Sequence, residues 1–157
     1  MAILNRFAFL LLLCVMVHAQ ILEVSSVTVK RGSADIFRVV LTPSAEKTIA
    51  ALQWDVVYPD GLRIEPSGVV SGAVSEKAGK MVQCAPRPSE GANHRLTCIL
   101  AGGVQALPAG VIVIVRFEAA ADVPQSEMSV QLEKVVGVTP SLESVPMKNT
   151  RVPITIR

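Results

Sequence analysis

Apolar and polar residues alternate over short stretches along most of the chain. From Thr48 to Tyr58, Ala50, Leu52, Trp54, Val56 and Tyr58 share one face, while Ile49, Ala51, Gln53, Asp55 and Val57 share the other. From Gly110 to Ala119, Val111, Val113, Val115 and Phe117 oppose Ile112, Ile114, Arg116 and Glu118. Weaker runs extend over Val24 to Lys30, Asp35 to Thr42, Leu62 to Ile64, Val69 to Val74, Lys80 to Ala85, Arg95 to Ala101, Met128 to Val136 and Val152 to Ile156. Gly, Pro, Asn and Asp stand between them, as in Arg31-Gly32-Ser33 and Pro59-Asp60-Gly61. A short turn near Ala119 to Asp122 is the only helical signal. The pattern predicts an all-β sandwich or barrel of about nine strands. From residue 20 onward, 22 Val stand against 9 Leu, and branching at Cβ favours the pleated backbone over the helix.

The first nineteen residues read differently. Arg6 precedes an apolar run from Phe7 to Val17, and Val17-His18-Ala19 suits a signal peptidase. The run is shorter than the roughly 20 residues needed to span a bilayer. The pattern predicts cleavage after Ala19, leaving residues 20–157 as one domain, secreted to the periplasm or the outside, with no membrane span. Export into an oxidising compartment changes the reading of Cys84 and Cys98. They are expected to form a disulfide joining neighbouring antiparallel strands across a turn-rich loop from Pro86 to Asn93. The alternative is a pair of buried thiols acting as small hydrophobes.

Charge and rare residues narrow the chemistry. Lys plus Arg number 15 against 13 Asp plus Glu, which argues against a nucleic-acid partner. Two histidines exclude a multi-histidine metal centre, and no other metal or cofactor signature is present. A Ser-His-Asp hydrolase would need His94, which falls in the expected loop. Asp55 and Asp60 lack the further oxygen ligands that calcium takes. The sequence therefore points to a binding module and not to an enzyme.

Val24-Ser25-Ser26-Val27-Thr28-Val29, then Gly32, then Ala51-Leu52-Gln53-Trp54-Asp55-Val56-Val57-Tyr58-Pro59-Asp60-Gly61-Leu62 resembles the first half of a cohesin domain. Ala109 to Phe117 resembles the family's glycine-led strand, and Asn149 to Ile154 its closing strand. The resemblance implies a nine-stranded β-sandwich with jelly-roll topology, related to some cellulose-binding modules. It also implies a dockerin-like protein partner and a link to extracellular polysaccharide degradation. In the family, polar residues of the third strand meet the dockerin; their positions here hold Ala51 and Gln53.

The same frame places both strong strands in one sheet. Their outward residues then form a single expected binding face of Ile49, Ala51, Gln53, Asp55, Val57, Ile112, Ile114, Arg116 and Glu118. Apolar residues pointing away from a core and rimmed by polar ones mark an interaction surface. The alternative ligand is polysaccharide, bound directly. Sugars stack on exposed aromatic rings, however, and parity turns Phe37, Trp54, Tyr58 and Phe117 inward.

Overall fold

The alternating runs become twelve strands in the computed structural model, which describes residues 21–44 and 47–157. The expected leader at residues 1–19 lies outside the described residues. In chain order the strands are β1 (Ile21–Val24), β2 (Val27–Val29), β3 (Ala34–Thr42), β4 (Ala51–Pro59), β5 (Leu62–Arg63) and β6 (Val69–Ser71). After helix α1 (Ala73–Lys77) come β7 (Met81–Glu90), β8 (Asn93–Ala101), β9 (Gly110–Ala119), β10 (Glu127–Val138), β11 (Ser144–Pro146) and β12 (Thr150–Ile156).

The strands form two sheets. One has five strands in the order β1-β3-β9-β5, with β6 also beside β9. The other has seven, in the order β2-β12-β10-β4-β8-β7, with β11 also beside β10. Pairing is antiparallel except between β2 and β12. The inward residues of both sheets are buried against one another. Phe37 and Phe117 meet from the five-stranded sheet, ring centroids 6.2 Å apart. Trp54, Val56, Leu96, Leu100 and Leu132 face them from the seven-stranded sheet. The expected inward parity of the aromatic residues holds, since Phe37, Trp54, Tyr58 and Phe117 are all buried.

Three expectations about the elements need correction. The strand count is twelve among the described residues instead of nine, because short segments are strands of their own: β1 ends at Val24, where the expected run begins, and β2 takes Val27–Val29 in the other sheet. The expected strand Val69 to Val74 stops at Gly72 and turns into α1. Gly72 lies directly on β9, where a Cβ would stand 2.2 Å from the Val111 carbonyl oxygen. The Pro86 to Asn93 loop is instead a long hairpin, with the turn at Gly91-Ala92. The short turn expected near Ala119 to Asp122 is present at Ala121-Asp122.

Prolines are tolerated in β7 because of where their nitrogens point. Cys84 and Cys98 are directly opposed with Cα atoms 4.1 Å apart, the spacing of a non-hydrogen-bonded pair. The backbone N–H groups of Val82 and Cys84, and the nitrogen of Pro86, therefore face away from β8, while Pro88 falls in the register shift between Arg87 and Glu90. Val82 N–H is taken by Ser71 Oγ at 3.0 Å, and the two prolines carry no hydrogen to donate. Cys84 and Cys98 form the expected disulfide, which links β7 to β8.

Candidate functional site

The expected nine-residue face divides between the two sheets. β4 belongs to the seven-stranded sheet and β9 to the five-stranded one, so their outward residues lie on opposite sides of the sandwich. Ile49 precedes β4 and is buried; its carbonyl accepts from Leu107 N–H at 2.6 Å. A Cβ on Gly137 would stand 2.5 Å from Ile49 Cδ1, so the bare glycine makes room for that side chain. Ile112 is buried as well: the β3–β9 register shifts there, passing from Val113 to Val111, and its side chain belongs to the core. Ser75 Oγ and Gly72 N–H both donate to the Ile112 carbonyl. Ile114 is half-buried on the outer side of β9. Arg116 and Glu118 border an open cleft of about 410 Å³ with Arg63, Glu65 and Ser67.

Ala51, Gln53, Asp55 and Val57 remain together on the outer side of the seven-stranded sheet, where register brings them new neighbours. Gln53 lies between Ile99 of β8 and Val136 of β10. Asp55 lies between Thr97 and Glu133, and Val57 between Arg95 and Gln131. β7 adds Met81, Gln83, Ala85 and Arg87 opposite Ala101, Ile99, Thr97 and Arg95.

This face has two chemically different ends. At the end where β4 begins, Met81 is 66 % exposed and Ile99 47 %. The loops leaving β8 and β10 at the same end carry Val104 and Leu142, 72 % and 81 % exposed. Leu142 is held with φ +67°, a left-handed conformation that costs a leucine about 1–2 kcal/mol. Hydrogen bonds of its own loop impose it: Leu142 N–H donates to the Thr139 carbonyl, and Glu143 N–H to Thr139 Oγ1. Among the described residues, four of the five exposed large hydrophobic residues thus lie at one end of one sheet, and Val70 is the exception.

The other end is polar. Arg95 Nη1 donates to Asp55 Oδ2 at 2.7 Å and lies 3.4 Å from Glu133 Oε2. Thr97 Oγ1 donates to Asp55 Oδ1 at 2.7 Å, and Lys134 Nζ approaches Asp55 at 3.6 Å. Burial acts to raise the Asp55 pKa. The hydrogen bonds from Thr97 and Arg95, with the charges of Arg95 and Lys134, outweigh it and hold the carboxyl below its ordinary value. Beyond this network, Val57, Asn93, His94, Arg95, Gln131 and Glu133 line a pocket of about 280 Å³. His94 Nε2 lies 2.8 Å from Asp60 Oδ1, and its ring rests 5.3 Å from that of Tyr58.

Sequence reading missed Met81, Ile99, Val104, Leu142 and the Arg95–Glu133 contact. A signal existed for Ile99: with Cys98 turned inward, its neighbour must point out. No group of three or more His, Cys, Asp or Glu side chains that could hold a metal occurs among the described residues. No helix of the described residues is long and apolar enough to cross a membrane.

No family model matches the chain, and no curated protein matches it in sequence. Solved structures do match in fold. The sixth cohesin of Acetivibrio cellulolyticus scaffoldin B, solved with a Cel5 dockerin, superposes with a TM-score of 0.69 at 14 % identity, covering 88 % of this chain and 99 % of that one. A Clostridium thermocellum cohesin in a type I cohesin–dockerin complex gives a TM-score of 0.70 at 14 % identity, with the same two coverages of 88 % and 99 %. A non-cellulosomal cohesin from the archaeon Archaeoglobus fulgidus gives 0.67 at 15 % identity, covering 88 % and 91 %. The chain therefore has the cohesin fold.

Proposed function

We propose that this protein is a non-catalytic, cohesin-type binding module. It takes a dockerin-like protein partner on the outer face of the seven-stranded sheet, at the end bounded by Met81, Ile99, Val104 and Leu142. The observation that carries the reading is the gathering of four exposed large hydrophobic residues there. Burying each is worth ~1.5–3 kcal/mol to whatever covers it. Ala51, Ala101 and Gln53 keep the ground between them low and uncharged. The dockerin complexes of two neighbours support a protein partner over a small ligand.

The reading includes export, with residues 1–19 removed as a leader, and work outside the cell alongside polysaccharide-degrading enzymes. Intact mass of the exported protein tests the first part, because retention of residues 1–19 overturns it. Calorimetric titration of the domain with a panel of dockerin modules tests the binding. The expected result is saturable binding to at least one dockerin, abolished by Ile99→Asp with an unchanged melting temperature. Absence of binding across the panel, or binding that survives Ile99→Asp together with Met81→Asp, overturns the proposed face.

A further inference from the structure

We propose that Lys80 is a positioning residue for the partner face: its buried amine holds the loop that follows β8, so that Val104 is set in place before the partner arrives. The inference rests on the protein-binding reading above and names what orders one border of that face.

Lys80 immediately precedes β7 and is 1 % exposed, whereas the other five lysines of the chain are exposed. Its Nζ donates to the Gly103 carbonyl at 2.9 Å. Among the described residues that carbonyl is the one hydrogen-bond partner of the amine, and no carboxylate pairs with it. Burial lowers its pKa below the ordinary lysine value. An apolar side chain of similar length would fill the same space without taking an amine out of water. What lysine adds is the bond to the loop.

That bond couples two of the exposed apolar residues at this border. Met81 follows Lys80 and Val104 follows Gly103. The two turns also meet through their backbones, since a Cβ on Gly102 would collide with the Gly79 carbonyl oxygen. Gly102 and Gly103 have φ of +145° and +55°, conformations that glycine reaches without strain. Further along, Leu107 is buried and its N–H is bonded to the Ile49 carbonyl. Val104 therefore rides on a short span fixed at Gly103 and again at Leu107. Without the Lys80 bond, the two glycines leave that span free to move, and a partner would have to order it on binding, at a cost in affinity.

The test compares Lys80→Met, Val104→Ser and the double variant with the parent. Backbone order parameters of Gly103 to Gln105 should fall in Lys80→Met from a rigid value of about 0.85 to below about 0.6. The melting temperature should hold or rise by about 2–4 °C, because no amine is desolvated. Binding to the dockerin that the parent takes should weaken by about tenfold. Lys80→Met should add little to the loss already caused by Val104→Ser, since both act through one contact. A lysine that merely supports the fold would lower the melting temperature, or act additively with Val104→Ser, and either result overturns the inference. Acetylation of the folded parent gives a reading free of any variant. Lys80 should be the last of the six lysines to react, and a fast-reacting Lys80 overturns the inference even where Lys80→Met does not fold. If no dockerin binds, the partner face fails, and the order parameters then decide alone whether Lys80 fixes the loop. A span equally rigid in parent and Lys80→Met overturns the inference in every case.

Discussion

Ser75 Oγ donates a 2.8 Å hydrogen bond to the carbonyl of Ile112, pinning a one-turn helix against β9 where β6 ends. Ile112 itself falls at the register shift between β3 and β9, where alternation breaks, and its side chain belongs to the core. Ile112→Asp is therefore expected to unfold the domain or cost more than about 3 kcal/mol, since it buries a carboxylate with no partner. Ile99→Asp, on the exposed face, should stay within about 0.5 kcal/mol of the parent. Urea unfolding of the two variants checks the pair, and similar midpoints would mean that Ile112 is not covered.

Asp55 supplies a pH-dependent share of the stability. Its folded-state pKa is lowered, so the contribution is fully present above the ordinary carboxylate value of about 3.9 and is lost as pH falls through the folded value. Asp55→Asn should cost about 1–3 kcal/mol near neutrality, because Arg95 loses its closest carboxylate. The gap between variant and parent should shrink between about pH 5 and pH 2. A gap that is constant across that range would show that Asp55 does not act through its charge.

Leu142 presents the opposite trade. Replacing it with glycine relieves the left-handed backbone and should raise stability by about 0.5–1 kcal/mol. The same change removes an apolar contact from the proposed partner face and should weaken dockerin binding. Denaturation and calorimetry on one sample decide both halves. A less stable variant would place Leu142 among the packing residues.

Trp54 is buried, and its Nε1 has no hydrogen-bond partner among the described residues. Trp54→Phe deletes that unsatisfied donor along with part of the ring, so the two effects oppose each other and the cost should stay below about 1.5 kcal/mol. Trp54→Ala leaves a cavity with nothing to offset it, at roughly 3–5 kcal/mol. Equal costs for the two variants would show that the indole N–H finds a partner in solution.

Period-two alternation made the inward faces of β3, β4 and β9 legible, and with them the placement of Phe37, Trp54 and Phe117. It could not say which sheet each strand joins, because alternation reports a strand's two faces and not its neighbours. That is why Ile114 and Gln53, expected on one patch, stand on opposite sides of the molecule. The helix against β9 was hidden in a segment rich in valine, where Gly72 is the only break. Asp55 and its partners Arg95 and Glu133 come from three strands, and Arg95 is 40 residues from Asp55 and 38 from Glu133. Each looks like an ordinary surface charge until the register joins them.

The outer rim of β7 has a consequence for how the molecule behaves in a crowd. Exposed strand edges invite other chains to continue the ladder, which is how β-rich proteins polymerise into fibres. Here one donor on that rim is already engaged by Ser71, and another position holds Pro86. A stray strand laid alongside would meet the Cys84 N–H but no free donor at Val82 and none at Pro86. The module can therefore offer a flat apolar platform at one end of its sheet while resisting self-templated aggregation along this border.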